Sequence, residues 1–169
     1  MNKAKGLMAW EVLAVAIRSE EDAVAFYSGL REKVRNVILL DKLDFLVREE
    51  GRHEKILRSI FSQRFRGKPE TVPPGAELPG IAAVLPAEAG VLDLFRAALK
   101  AEEMSEAFYL DAARLAEDEG SRHILAYLSR AERSHQAMIK AEMELLEIFP
   151  DYYSADDFHV GQEMFHIGP

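Results

Sequence analysis

The sequence contains no cysteine. That excludes disulfides, zinc–thiolate sites and iron–sulfur clusters, so any metal or redox chemistry must run on oxygen and nitrogen ligands. No apolar run approaches the ~18 residues of a membrane span. Basic residues are outnumbered, 21 Lys and Arg against 29 Asp and Glu, and the net charge of −8 disfavours a nucleic acid or an anionic membrane as partner. Proline is scarce outside one segment: five of the seven lie between Gly67 and Gly90. Near the start, Lys3 and Lys5 precede an apolar stretch in loose imitation of a signal sequence. Glu11 interrupts that stretch, so it reads as the first turns of a helix and the protein as cytoplasmic.

What is present is helical periodicity. Apolar residues recur at three- and four-residue steps over about 7–35, 37–66 and 91–118. A fourth such segment follows Gly120 and Ser121, which read as a helix stop and an N-cap, and Pro150 closes it. The stripes are Leu13, Ile17, Glu20, Val24, Tyr27, Leu30 and Val34; Leu39, Leu43, Leu46, Glu50, His53, Leu57 and Ile60; Leu92, Phe95, Leu99, Glu102, Tyr109 and Ala113; Leu125, Leu128, Glu132, His135, Ile139 and Met143. Short connections around Asn36 and Gly120 make two antiparallel hairpins. The proline-rich segment 66–90, able to span ~70 Å when extended, joins them as one long crossover. The expected fold is therefore all-α: a four-helix bundle over 1–150, with an aromatic C-terminal tail over 151–169 carrying Tyr152, Tyr153, Phe158 and Phe165.

Each stripe is broken midway by an acidic residue, or by an acidic residue and a histidine. Glu50-x-x-His53 recurs as Glu132-x-x-His135, and Glu20-x₆-Tyr27 recurs as Glu102-x₆-Tyr109, all at an offset of 82 residues. Arg48 and Arg130 share the offset, as do the Ala-Phe-Tyr triplets ending at Tyr27 and Tyr109. A carboxylate in a core stripe costs several kcal/mol unless compensated. Four glutamates meeting at one level would repel each other. Two divalent cations would neutralise them with both histidines uncharged. One Glu from each of two helices plus Glu-x-x-His from each of the other two is a di-metal ligand set, and its hard oxygen donors suit iron or manganese.

The candidate metal ligands are thus Glu20, Glu50, His53, Glu102, Glu132 and His135. Tyr27 and Tyr109, two turns beyond their glutamates, are placed to hydrogen-bond a ligand carboxylate or donate a proton. Glu49 is excluded because its repeat partner is Ala131, and Glu21 and Glu103 lie one step off the stripe. Glu163-x-x-His166 has no helical stripe around it, and His123 and His159 have no repeat partner. Met8, Met104, Met138 and Met143 read as core filler, and Trp10 as core or dimer interface.

Over about residues 7–149, these six residues resemble the ferritin-like di-iron superfamily and, within it, the rubrerythrin group. The resemblance implies two iron ions per bundle, with manganese or a mixed pair as variants, Glu20 and Glu102 as bridging ligands, and Glu50, His53, Glu132 and His135 as terminal or bridging ligands. It implies reduction of hydrogen peroxide, with peroxide or oxygen as the small-molecule substrate. The alternatives within the superfamily are ferrous oxidation with iron storage or delivery, and a dimanganese centre that dismutates peroxide. Rubrerythrins carry a Cys₄ rubredoxin domain that this chain lacks, so electrons would come from an external donor such as a rubredoxin-type protein. A homodimer, with or without exchanged hairpins, is expected. Rubrerythrins also have a glutamate three residues after the ligand on the third helix. Here that position is Ser105, and Glu106, one residue further, is the candidate extra carboxylate.

Overall fold

Four helices form along the apolar stripes in a computed structural model that describes residues 6–76, 78, 79 and 90–150. They are α1 Ala9–Lys33, α2 Val37–Arg64, α3 Val91–Leu115 and α4 Glu119–Ile148. The 82-residue offset governs their ends as well as their ligands: Ala9 and Val91 begin, Lys33 and Leu115 close, and Val37 and Glu119 restart the equivalent helices. The same offset relates the two N-caps. The Asn36 side chain accepts from the backbone N–H of Ile38 and Leu39 at 3.0 and 3.2 Å, and Asp118 accepts from that of Ser121 at 2.9 Å. An acceptor at this position satisfies the free N–H groups of the first turn. Asp118 therefore displaces the expected stop and cap at Gly120 and Ser121, both of which lie inside α4. α3 closes at Leu115, three residues earlier than the apolar pattern suggests. At the start of α1, Glu11 turns back to accept from the Met8 N–H at 2.8 Å.

α1 packs along α2, α3 along α4, and α1 also meets α3. The core is two apolar clusters with a polar layer between them. One holds Val12 to Ile17 of α1 with Leu57, Phe61, Phe108, Ala112, Leu125 and Leu128. The other holds Leu30, Leu39, Leu43, Leu46, Leu94, Phe95, Ile139 and Leu146. The first cluster joins the start of α1, the end of α2, the end of α3 and the start of α4, so α2 and α3 run parallel. Their connection must return along the whole bundle, as a crossover does. Stripe residues Val24, Val34, Ile60, Leu92, Leu99 and Met143 are only half-buried. Met8 is 54% exposed and fills no core, because it precedes α1 at the bundle end. Trp10 packs against the first cluster, with the Lys68 ammonium 5.8 Å from its ring centre.

The described part of the crossover is tied to the first hairpin. Pro73, Pro74, Gly75 and Ala76 make a turn closed by Ala76 N–H to the Pro73 carbonyl at 3.1 Å, and Gly75 sits at φ +80°, which favours glycine there. Arg58 of α2 bonds Glu54, Glu21 of α1 and Glu70 of the crossover. Further along, the Ser19 hydroxyl donates to the Pro79 carbonyl at 2.6 Å. No helix among the described residues is long and apolar enough to cross a membrane. The aromatic tail, with Glu163, His159 and His166, lies outside the described residues.

Candidate metal centre

Glu20, Glu50, His53, Glu102, Glu132 and His135 are all buried in the polar layer between the two clusters. They form two overlapping groups. Glu20, Glu50, His53 and Glu132 offer ligand atoms within 4.8 Å of one another, and so do Glu50, Glu102, Glu132 and His135. Glu50 and Glu132 belong to both groups, whereas Glu20 and Glu102 belong to one each. The residues between the two groups are thus Glu50 and Glu132, for which bridging is one of the expected roles, while Glu20 and Glu102, expected to bridge, stand to either side. The reason lies in the i, i+3 spacing: the glutamate of each Glu-x-x-His points to the centre while its histidine takes one side.

Both imidazoles turn Nδ1 inward. His53 Nδ1 lies 3.1 Å from Glu50, 3.6 Å from Glu132 and 3.7 Å from Glu20. His135 Nδ1 lies 3.0 Å from Glu50, 3.4 Å from Glu102 and 3.5 Å from Glu132. The two rings stack with centroids 5.7 Å apart. Each group thus offers three carboxylates and one imidazole nitrogen.

The tyrosines cross between hairpins. Tyr27 of α1 donates its hydroxyl to Glu102 of α3, and Tyr109 of α3 donates to Glu20 of α1. This reciprocity follows from antiparallel packing, because side chains lean toward their own helix N-terminus. Each phenol therefore leans back from two turns away to reach the glutamate of the opposite helix. Phe26 and Phe108 meet the edges of Tyr27 and Tyr109 with centroids 5.3 and 5.6 Å apart. Burial and the facing glutamate push both phenols well above their ordinary pKa, so they keep their protons.

The family model for rubrerythrin matches residues 11–143. The chain belongs to the rubrerythrin family. A hypothetical protein from Pyrococcus furiosus is similar to it, with 35% identity, a TM-score of 0.74, and coverage of 88% of this chain and 97% of that one. No curated protein matches.

This rubrerythrin-family site fits metal ions on its own chemistry. Glu50 Oε1, Glu132 Oε1 and His135 Nδ1 are fully buried and make no hydrogen bond, although all three face the centre. Buried polar atoms are normally paired, and a cation would satisfy all three at once. Without cations, protons must do that work. Burial pushes the Glu20 carboxyl up to about 8 against the pull of nearby His53, and burial with the Glu50 charge raises Glu132. Glu50 moves the other way: burial opposes it, but the adjacent His135 and His53 imidazoles hold it well below the usual range. Burial would lower both histidines, yet the facing carboxylates win. His53 is raised to about 9, and His135 is raised too.

Glu106 stays out of the cluster. Its carboxylate accepts from Arg133 Nε at 2.8 Å and from Gln136 Nε2 at 2.7 Å, which draws it toward α4 and the surface. Ser105 instead faces a cavity of about 10 Å³ beside Glu20 and Glu102, walled by Ser19, Ala23 and Ala101. Such a cavity holds about one water-sized molecule. Glu21 pairs with Arg58, Glu103 lies 3.7 Å from Lys140, and Glu49 bonds Arg52, so none of the three enters the centre. His123 is exposed on α4 beside Glu119.

Two further residues border the centre without any periodic signal in the sequence that marks them. Phe45 of α2 meets the His135 ring edge-on at 6.3 Å, and Tyr127 of α4 meets His53 likewise at 6.2 Å. They too are separated by 82 residues, but the repeat there is in aromatic character and not in identity.

Proposed function

We propose that the protein is a di-iron oxidoreductase that reduces hydrogen peroxide to water with electrons from a separate carrier. The observation that carries this reading is the pair of overlapping three-carboxylate, one-imidazole groups in a rubrerythrin-family bundle. Glu50 and Glu132 would be shared between two iron ions, Glu20 and His53 would hold one, and Glu102 and His135 the other. Iron bound there supplies the electrons that break an O–O bond.

The chain's own residues do the rest. The cavity beside Ser105, against Glu20 and Glu102, is small enough to turn away anything much larger than peroxide. Tyr27 and Tyr109 fix the outer carboxylates, and each holds a phenolic proton within reach of the reaction, which consumes two protons per peroxide. These 169 residues hold no cysteine from which a rubredoxin-like centre could be built, which supports placing the electrons on a separate carrier.

The test is stopped-flow mixing of the diferrous protein with peroxide and, separately, with oxygen. Peroxide is expected to oxidise the centre faster. Oxygen reacting as fast or faster would defeat the peroxidase reading. One observation favours a second reading, ferrous-ion oxidation. Ser105 stands where rubrerythrins have a further glutamate, and Glu106 is held away by Arg133 and Gln136. Oxidation of many ferrous ions per chain would decide for it.

A further inference from the structure

We propose that the outer face of α2 and α4, around Phe45 and Tyr127, is where a small acidic electron-carrier protein docks. This rests on the reductase reading above and names its missing partner. Phe45 and Tyr127 are 41% and 42% exposed, yet each ring abuts a histidine of the centre, nearly perpendicular to it. A carrier touching these two rings is one side chain away from the imidazoles.

The charges around them are equally specific. Arg48 and Arg130 lie three residues beyond Phe45 and Tyr127 and so share their face. Both are exposed, and neither forms an ion pair with any described residue. Most other arginines are engaged: Arg31 with Asp44, Arg58 with three carboxylates, Arg64 with Asp118, Arg133 with Glu106. Of the carboxylates nearby on α2, Asp44 is taken up by Arg31 and Glu49 by Arg52. That leaves exposed Asp41 against two guanidinium groups that no described residue pairs, so the surroundings of the rings are net positive on a chain of net charge −8 and suit an acidic surface. A second copy of this chain is a poorer occupant, because two-fold docking on this face would bring its arginines together. Each encounter oxidises the carrier by one electron. Two encounters and two protons convert one peroxide to two waters.

The test uses the full chain and a rubredoxin of net negative charge as probe. Binding is measured on zinc-loaded protein, where no electron moves, and reduction kinetics on iron-loaded protein. Wild-type protein should bind the probe at low salt and lose it as salt rises. The Arg48→Glu/Arg130→Glu double variant changes only exposed, unpaired side chains. It should weaken binding by about tenfold or more and slow probe-driven reduction similarly, with metal content and reduction by dithionite unchanged. Lys100→Glu, on the exposed side of α3, should leave both as they are. The proposal falls if wild type does not bind, if the double variant binds like wild type, or if Lys100→Glu is the more damaging change. It also falls if wild type is a dimer that the double variant dissociates, since the face is then a self-interface. Binding that the double variant abolishes, in a protein that fails to turn over peroxide, would uphold the docking face and remove the reductase reading.

Discussion

The overlap of the two ligand groups makes a stoichiometric prediction that separates shared from outer carboxylates. Glu132→Gln replaces a side chain in both groups by a neutral one of the same shape; Glu20→Gln does so in one group only. Saturating a native-state site at about 100 times its Kd stabilises the fold by ~2.7 kcal/mol, so two sites contribute ~5 kcal/mol. In a chain of this size each kcal/mol moves Tm by about 2–4 °C. Metal should therefore raise the wild-type Tm by about 10–20 °C, that of Glu20→Gln by about half as much, and that of Glu132→Gln hardly at all. Metal-free Glu132→Gln should melt close to metal-free wild type, because burial and the Glu50 charge already favour the neutral acid at that position. Metal analysis alongside calorimetry reads both quantities. Two metals retained by Glu132→Gln would refute the assignment of Glu132 as a shared ligand. Loss of both metals from Glu20→Gln with one kept by Glu132→Gln would show that the outer pair bridges after all.

Three further outcomes are expected. Raised pKa values of Glu20 (about 8), His53 (about 9), Glu132 and His135 mean that the metal-free fold binds protons the unfolded chain would release. From about pH 6 upward, where Glu50 with its depressed pKa stays charged and contributes no slope, its stability should fall as pH rises through about 8–9, while metal affinity climbs over the same window as those protons are displaced; melting and zinc titrations from pH 6 to about 9.5 check both directions, and parallel trends would contradict the proton-filled site. Tyr109→Phe should leave both metals bound but free the Glu20 carboxylate, slowing peroxide-driven oxidation by about tenfold or more, with Tyr27→Phe acting likewise through Glu102; unchanged stopped-flow rates would make the phenols packing groups only. Asn36→Ala removes the acceptor for Ile38 and Leu39 and should cost about 1 kcal/mol in chemical denaturation, with metal stoichiometry intact.

Much of this centre was legible because burial and chemistry conflict in the sequence. Glu20, Glu50, Glu102 and Glu132 stand in stripes that should be apolar, and the repeat showed that the conflict occurs twice. The same logic rejected Glu49 and His123, and the structure puts both outside the cluster. Spacing along a helix says which residues share a face, but not what the face meets. The sharing of Glu50 and Glu132, the crossed tyrosine bonds and the diversion of Glu106 to Arg133 all depend on the relative height and rotation of two helices. Asp118 is illegible for a different reason: Gly120 and Ser121 carry stop and cap propensities of their own, and only the placed backbone shows which acceptor reaches the free N–H groups.

The repeat also makes its own exceptions informative. Helix ends, caps, candidate ligands and tyrosines obey the offset closely enough to give the two ligand groups equivalent inner surroundings. The crossover breaks that equivalence from one side. Ser19 is bonded to the Pro79 carbonyl, whereas its counterpart Ala101 has no hydroxyl to donate. Glu21 is locked through Arg58 to Glu70, whereas its counterpart Glu103 has only a distant lysine. On the opposite wall Ser105 faces the cavity where its counterpart is Ala23. The outer carboxylate on α1 therefore sits on a braced helix, and the one on α3 beside a polar hydroxyl on a less constrained one. If one position binds metal more weakly, it should be the Glu102–His135 side: first to empty on chelation, and first to lose occupancy in a stepwise titration. Spectroscopic titration with cobalt would show two unequal steps. Two equal steps would mean that the bracing of α1 by the crossover does not reach the centre.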